Sequence, residues 1–152
     1  MLKDKPLKAT GARGDAEEHG EMCGGPGGVP YQAFASPADR IIRVTVWHRQ
    51  YVDGIQLETE TGVLPRIGGM GKHRDVRQET FELAVDEFLT GVSVEYWNYV
   101  DRITFHTNKR SHGPFGGEGG RVKRTLQAPA GRAVRGFKGR HWELVDSIQL
   151  MV

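Results

Sequence analysis

The feature that most constrains this chain is a segment that occurs three times, as YVDGIQL (51–57), YVDRITF (99–105) and LVDSIQL (144–150). In each copy a Val precedes an Asp, and an Ile follows that Asp by two residues. A Leu or Phe comes two further on, giving Asp53, Ile55 and Leu57, then Asp101, Ile103 and Phe105, then Asp146, Ile148 and Leu150. Apolar residues at period two mark a half-buried strand, so each Ile and its Leu/Phe partner point to a core. The Asp shares their face but opens the strand, where a loop can leave it at the surface. A second repeat runs in step: GGPGG (24–28), GGMGK (68–72) and GGEGG (116–120). Gly68 follows Asp53 by 15 residues, and Gly116 follows Asp101 by the same 15. Asp146 has no glycine loop after it, and the first loop has no copy of the Val-Asp segment before it. A closed three-fold structure whose third unit is split across the termini accounts for both. The aspartates at 53, 101 and 146 lie 48 and 45 residues apart, long enough for about four short strands per unit.

The residues between the repeats agree with an all-β fold. Ile42, Val44 and Val46 alternate with Arg43 and Thr45, and Val92, Val94 and Tyr96 repeat the pattern. Phe81 with Leu83, and Val122 with Arg124 and Leu126, fit further strands. ETFELAVDEFL (79–89) is the best helical candidate, yet it reads equally as strand, turn and strand. Twenty-one glycines in 152 residues supply the tight turns that such a fold needs.

Residues 1–23 are polar and without periodicity, and read as a flexible tail ahead of one domain over 24–152. The Arg13-Gly14-Asp15 tripeptide there reads as a chance occurrence. That tail lacks the apolar stretch of a signal peptide, so a cytoplasmic protein, or one released without a classical signal, is expected. No apolar run approaches the ~18–20 residues that span a bilayer, so membrane insertion is not expected. A net charge of +2 from 21 basic and 19 acidic residues, spread along the chain, argues against a nucleic-acid partner. Cys23 is the single cysteine, so neither an intrachain disulfide nor a thiolate zinc site can form. The six histidines (19, 48, 73, 106, 112 and 141) form no close pair and read as ordinary surface residues rather than metal ligands. No nucleophile or phosphate-loop motif appears, and three-fold symmetry spreads the aspartates over separate sites. An enzyme, a cofactor and a metal are therefore not expected.

A carboxylate offers two acceptor oxygens, and a glycine-rich loop lets backbone N–H groups approach a ligand closely. Together they suit a polyhydroxylated ligand such as a sugar, whereas a carboxylate would repel phosphate. The plain alternative is that the glycines make turns and the Asp caps a strand end.

GGPGG, YVDGIQL, VDRITFHTNKRSHGPFGGEGG (100–120) and GFKGRHWELVDSIQL (136–150) together resemble the jacalin-related lectins, over residues 24–152. The resemblance implies a β-prism I fold, three four-stranded Greek-key sheets around a pseudo-three-fold axis. It implies a carbohydrate site in which Asp146 accepts from two sugar hydroxyls while the backbone N–H groups of Glu143, Leu144 and Gly28 donate. Symmetry-related sites would be Asn98, Tyr99, Asp101 and Gly120, then Gln50, Tyr51, Asp53 and Lys72. An unprocessed chain ahead of Gly24 points to glycans containing mannose or glucose as partners, and a homodimer would add avidity. Some members carry an aromatic residue two positions before each Asp; here Tyr51, Tyr99 and Leu144 stand there. The sequence departs from the family's Gly-x-x-x-Asp pattern at all three sites, with Arg49, Trp97 and Trp142 in place of the glycine. Lys72 likewise replaces a loop glycine. A residue other than glycine at a position needing φ > 0 would reshape the loop. Trp97 and Trp142 either stack on a sugar ring or pack on neighbouring strands. The runner-up function is a protein-interaction or targeting module with decayed sugar sites. Asp146 is expected to be the principal acceptor and Asp53 the weakest.

Overall fold

The computed structural model describes residues 16–69 and 73–152. The described residues hold strands and turns and no helix. The strands are β1 (Glu18–Gly24), β2 (Val29–Phe34), β3 (Ile41–His48), β4 (Val52–Thr59), β5 (Gly62–Val63), β6 (Ile67–Gly68), β7 (Arg77–Glu82), β8 (Leu89–Tyr96), β9 (Val100–Thr107), β10 (Ser111–Gly116), β11 (Val122–Gln127), β12 (Gly136–His141) and β13 (Val145–Met151). They form three antiparallel sheets, ordered β1-β13-β12-β2, β5-β4-β3-β7 with β6 also on β4, and β10-β9-β8-β11. This is the expected three-fold β-prism. The first sheet joins both ends of the chain, as the split repeat requires, and Glu17 and Val152 extend its ladder by exchanging backbone hydrogen bonds of 2.7 and 2.8 Å.

The repeated apolar pairs make the core. Ile55, Ile103 and Ile148 are fully buried, as are Leu57, Phe105 and Leu150. Burying each such side chain stabilises the fold by about 1.5–3 kcal/mol relative to exposure. Each sheet supplies an equivalent pair, so no sheet can bury its inner face alone. Phe105 joins the sheets further, with Phe137 at 6.2 Å and Phe81 at 5.4 Å between ring centroids.

Two expectations about elements are settled. The 79–89 segment is strand, turn and strand, because Phe81 packs inward while Asp86 and Val85 stand at the turn. Residues 18–23, expected in the tail, instead form most of β1. That strand was hidden because it lies at a sheet edge and buries only Cys23, so it lacks the alternation that betrays the others. The Arg13-Gly14-Asp15 tripeptide lies outside the described residues.

Candidate functional site

The prism end carrying the three aspartates is built from six loops, two per sheet. The short loops before each Asp close identically. Arg49 N–H donates to Tyr51 O (3.0 Å), Trp97 N–H to Tyr99 O (3.1 Å) and Trp142 N–H to Leu144 O (3.1 Å). Arg and Trp in place of the family's glycine thus leave the same closing hydrogen bond in all three loops.

The glycine loops divide into two parts with different duties. Gly24, Gly68 and Gly116, the first of each loop, have φ of 135°, 80° and 112°. A Cβ at any of them would overlap the carbonyl oxygen of the Asp on the paired strand (Asp146, Asp53 and Asp101). The next glycine anchors the loop, with Gly25, Gly69 and Gly117 donating to those same carbonyls at 2.8–2.9 Å. It also abuts the neighbouring sheet's short loop, at Asn98, Glu143 and Gln50 respectively. The leading glycines therefore serve the turn and the three-fold packing. Only the trailing glycines face a carboxylate: a Cβ on Gly27 would stand 2.8 Å from Asp146 Oδ2, and one on Gly28 2.9 Å from Oδ1. At the second position it is Gly119 that faces Asp101 Oδ2 (3.2 Å), whereas Gly120 lies against the backbone of Glu95. Gly27 and Gly119 were missed because glycine spacing does not show which way a peptide faces.

The three carboxylates are buried rather than held at the surface, with relative exposures of 0% for Asp53 and 5% for Asp101 and Asp146. Ladder pairing begins at the residue before each Asp, which draws the side chain under the loops. Burial pushes all three above the ordinary Asp pKa. Their partners then separate them. Asp53 Oδ2 accepts from Arg49 Nε at 3.1 Å, and its Oδ1 is sealed and unbonded. Asp101 has a sealed Oδ1; the nearby Trp97 N–H, itself bonded to Tyr99 O, favours its charged form, and Glu95 opposes it. The Asp146 carboxylate takes no hydrogen bond from any described residue, and neither of its oxygens is sealed. Beside it the Gly28 N–H likewise has no acceptor within the described chain. An acceptor without a donor thus adjoins a donor without an acceptor. Of the remaining expected residues, Glu143 and Leu144 form the short loop at Asp146, Asn98 and Tyr99 that at Asp101, and Gln50 and Tyr51 that at Asp53. Lys72 lies outside the described residues.

Sequence reasoning missed the residue six before each Asp. At the principal position it is Arg140, whose Nε donates to Gly27 O (3.2 Å) and whose Nη2 donates to Gly28 O (2.7 Å). At the second it is Glu95. At the third it is Trp47, under the Arg66 guanidinium at 3.6 Å. Two of the six histidines, expected as ordinary surface residues, instead bond the backbone of a neighbouring sheet. His48 is 3% exposed and accepts the Gly116 N–H at Nδ1 (3.0 Å), leaving Nε2 to donate to Glu79 at 2.6 Å. His141 Nδ1 accepts the Gly68 N–H at 2.7 Å. Each ties its own sheet to the next sheet's glycine loop. Tyr51 and Tyr99 meet edge to face at 5.3 Å. Trp97 and Trp142 are 48% and 69% exposed, so neither packs into the prism. Arg121 covers the Trp97 ring at 5.1 Å, whereas Trp142 has no ring or cation partner among the described residues.

Comparison with known proteins gives a concordant picture. The family model described as a jacalin-like lectin domain matches residues 20–151. The jacalin-related lectin Calsepa of Calystegia sepium is 34% identical over 87 residues, 54% of this chain and 56% of that protein. The match thus spans little more than half of that relative's length. Among solved structures, the Calystegia sepium agglutinin superposes with a TM-score of 0.76 at 24% identity, covering 90% of this chain and 95% of that one. A mannose-specific jacalin-related lectin from Morus nigra, in complex with mannose, gives 0.75 at 22% identity, covering 97% and 98%. At such identities these likenesses establish the fold.

Proposed function

The chain belongs to the jacalin-like lectin domain family, and on that premise we propose that it binds mannose- or glucose-type glycans at one principal site formed by Asp146, Gly27, Gly28 and the Glu143–Leu144 loop. The single observation that carries this is the unmatched pair of groups there: among the described residues, a buried carboxylate with no donor stands beside a backbone N–H with no acceptor. A pyranose hydroxyl both donates and accepts, so neighbouring hydroxyls satisfy Asp146 and Gly28 together. An anion would instead meet the carboxylate's repulsion, and an apolar ligand would leave both groups unpaired. The glycan leaves unchanged, as befits a lectin rather than an enzyme. One shallow site of this kind gives millimolar affinity, roughly −4 kcal/mol. Assembly as a homodimer would raise the avidity for branched glycans.

At the third position a decayed site is favoured, because Arg49 already occupies Asp53 Oδ2. Titration with methyl α-mannoside, followed by NMR, tests the principal assignment. Saturable shifts should appear at Gly27, Gly28 and residues 143–146, and Asp146→Ala should abolish them. Unchanged affinity in that variant would overturn the assignment.

A further inference from the structure

Three nearly symmetric positions carry a buried Asp, yet one alone keeps both carboxylate oxygens unbonded and open. That position also carries an arginine six residues before its Asp, where the other two carry Glu95 and Trp47. We propose that Arg140 is the positioning residue of the principal site: its guanidinium fixes the Gly27–Gly28 loop with the ligand-facing N–H outward, and its charge stands beside Asp146 without bonding to it. The proposal rests on the glycan reading above only for its binding consequence.

The geometry runs through one peptide plane. In a trans peptide the C=O of Gly27 and the N–H of Gly28 lie in one plane and point in opposite directions. Arg140 Nε holds the Gly27 oxygen at 3.2 Å and Nη2 holds the Gly28 oxygen at 2.7 Å. The Gly28 N–H is thereby turned away from Arg140, and it has no acceptor among the described residues. Without the clamp, two glycines in sequence have wide backbone freedom, and the donor would be poorly aimed. Arg140 is itself fixed, since its backbone N–H donates to Ser147 Oγ at 2.9 Å. A guanidinium suits this task because its planar fork reaches two carbonyls at once, which an ammonium does not do with fixed geometry.

The other two positions serve as internal controls. Glu95, in the same register, opposes the Asp101 charge, and it cannot hold a carbonyl. Trp47 stands at the third, where the nearby arginine bonds the Asp itself. The groups facing Asp146 are few. Arg140 on β12 favours its charged form. Tyr31 on β2 donates its hydroxyl to Ser147 O at 2.9 Å and stays neutral, because burial and Asp146 push its pKa well above the usual value. His141 has Nδ1 engaged by Gly68.

The test uses the whole chain with Arg140→Gln and Arg140→Lys, read first without ligand. Carboxyl NMR should show the Asp146 titration midpoint rising in Arg140→Gln but nearly kept in Arg140→Lys, and the Gly28 amide order parameter should fall in both. Methyl α-mannoside affinity should fall about tenfold in Arg140→Gln and less in Arg140→Lys. An unmoved midpoint and unchanged Gly28 order in Arg140→Gln would overturn the proposal, as would wild-type mannoside affinity in that variant. If the wild type binds no mannoside while the midpoint and the order parameter still respond, the positioning role stands and the glycan reading falls.

Discussion

Two buried carboxylates at separate places in the prism have opposite circumstances. Glu87, just before β8, is 2% exposed and surrounded by donors. The Ala84 N–H reaches Oε1 at 3.0 Å, while Thr107 Oγ1 (2.7 Å), His112 Nε2 (3.1 Å) and Arg110 Nε (3.4 Å) reach Oε2. Burial alone would raise its pKa, but these partners outweigh burial and hold it at about 2. Asp146 is buried almost as deeply and its carboxylate has no donor among the described residues, so burial prevails and its pKa rises. A carboxylate removed from water stabilises the fold only where the chain itself supplies the lost hydrogen bonds. Where the chain withholds them, the unmet need is available to a ligand. Glu87 is thus a structural residue and Asp146 the residue proposed to bind, though a sequence shows both simply as acids.

The sharpest way to break this contrast is to remove each in turn. Asp146→Ala should weaken mannoside binding by at least ~100-fold, about 3 kcal/mol, since hydrogen bonds to a charged group are lost. Its melting temperature should be unchanged or higher, because an uncompensated buried charge disappears. A large fall in melting temperature would place Asp146 with Glu87 as a structural group. Glu87→Gln should do the reverse, costing about 2–3 kcal/mol by stranding its donors. That is a drop of roughly 5–10 °C in melting temperature for a chain of this size, with mannoside affinity at 25 °C kept. Calorimetry and titration on the two variants decide both points.

A smaller effect separates them by pH. On the proposed reading Asp146 accepts sugar hydroxyls at both oxygens, which it does fully only when ionised, so binding should fade as pH drops through its raised pKa, above the ordinary Asp range of about 4. The fold gains there, because the group's charged form is the one penalised by burial. Glu87 has the opposite sign: with a folded pKa of about 2 against 4.5, its stabilisation is present above about 4.5 and lost as pH falls toward about 2. There should therefore be an acidic window in which the protein is folded by circular dichroism yet binds no mannoside. Coincident loss of binding and fold would remove the distinction between the two acids.

The three-fold plan was legible because it rests on features that sequence records directly. Period-two apolar residues must face a core, and the leading glycines must be glycines because a Cβ at Gly24, Gly68 or Gly116 would overlap a carbonyl oxygen. At Asp53 the sequence points to Arg49 as a residue that would reshape the loop, but the loop closes as its twins do, and Arg49 instead forms a 3.1 Å ion pair with Asp53. Arg140 was not legible, because its partners Gly27 and Gly28 lie more than a hundred residues away and are met only when β12 pairs with β2. His48 and His141 were misread for the same reason: what they accept is the backbone N–H of a neighbouring sheet, and a backbone donor leaves no trace in residue identity.

The smallest predicted effect concerns the two exposed tryptophans, which occupy the same register and differ in cover. Trp97 lies under Arg121 at 5.1 Å, so its ring face already has a cation partner. Trp142 is 69% exposed and bare, one residue before the loop proposed to hold the sugar. A sugar bound at Asp146 fills the acceptor and donor there, so a ring at the rim can meet only the next unit of a longer glycan. Trp142→Ala should leave methyl α-mannoside affinity unchanged while weakening a mannotriose several-fold, in keeping with about 0.5–1.5 kcal/mol for contact with an aromatic face. Trp97→Ala should alter neither. Parallel titrations of the monosaccharide and trisaccharide against both variants settle the matter. An equal loss for the two ligands in Trp142→Ala would mean that the ring shapes the loop rather than the ligand's reach.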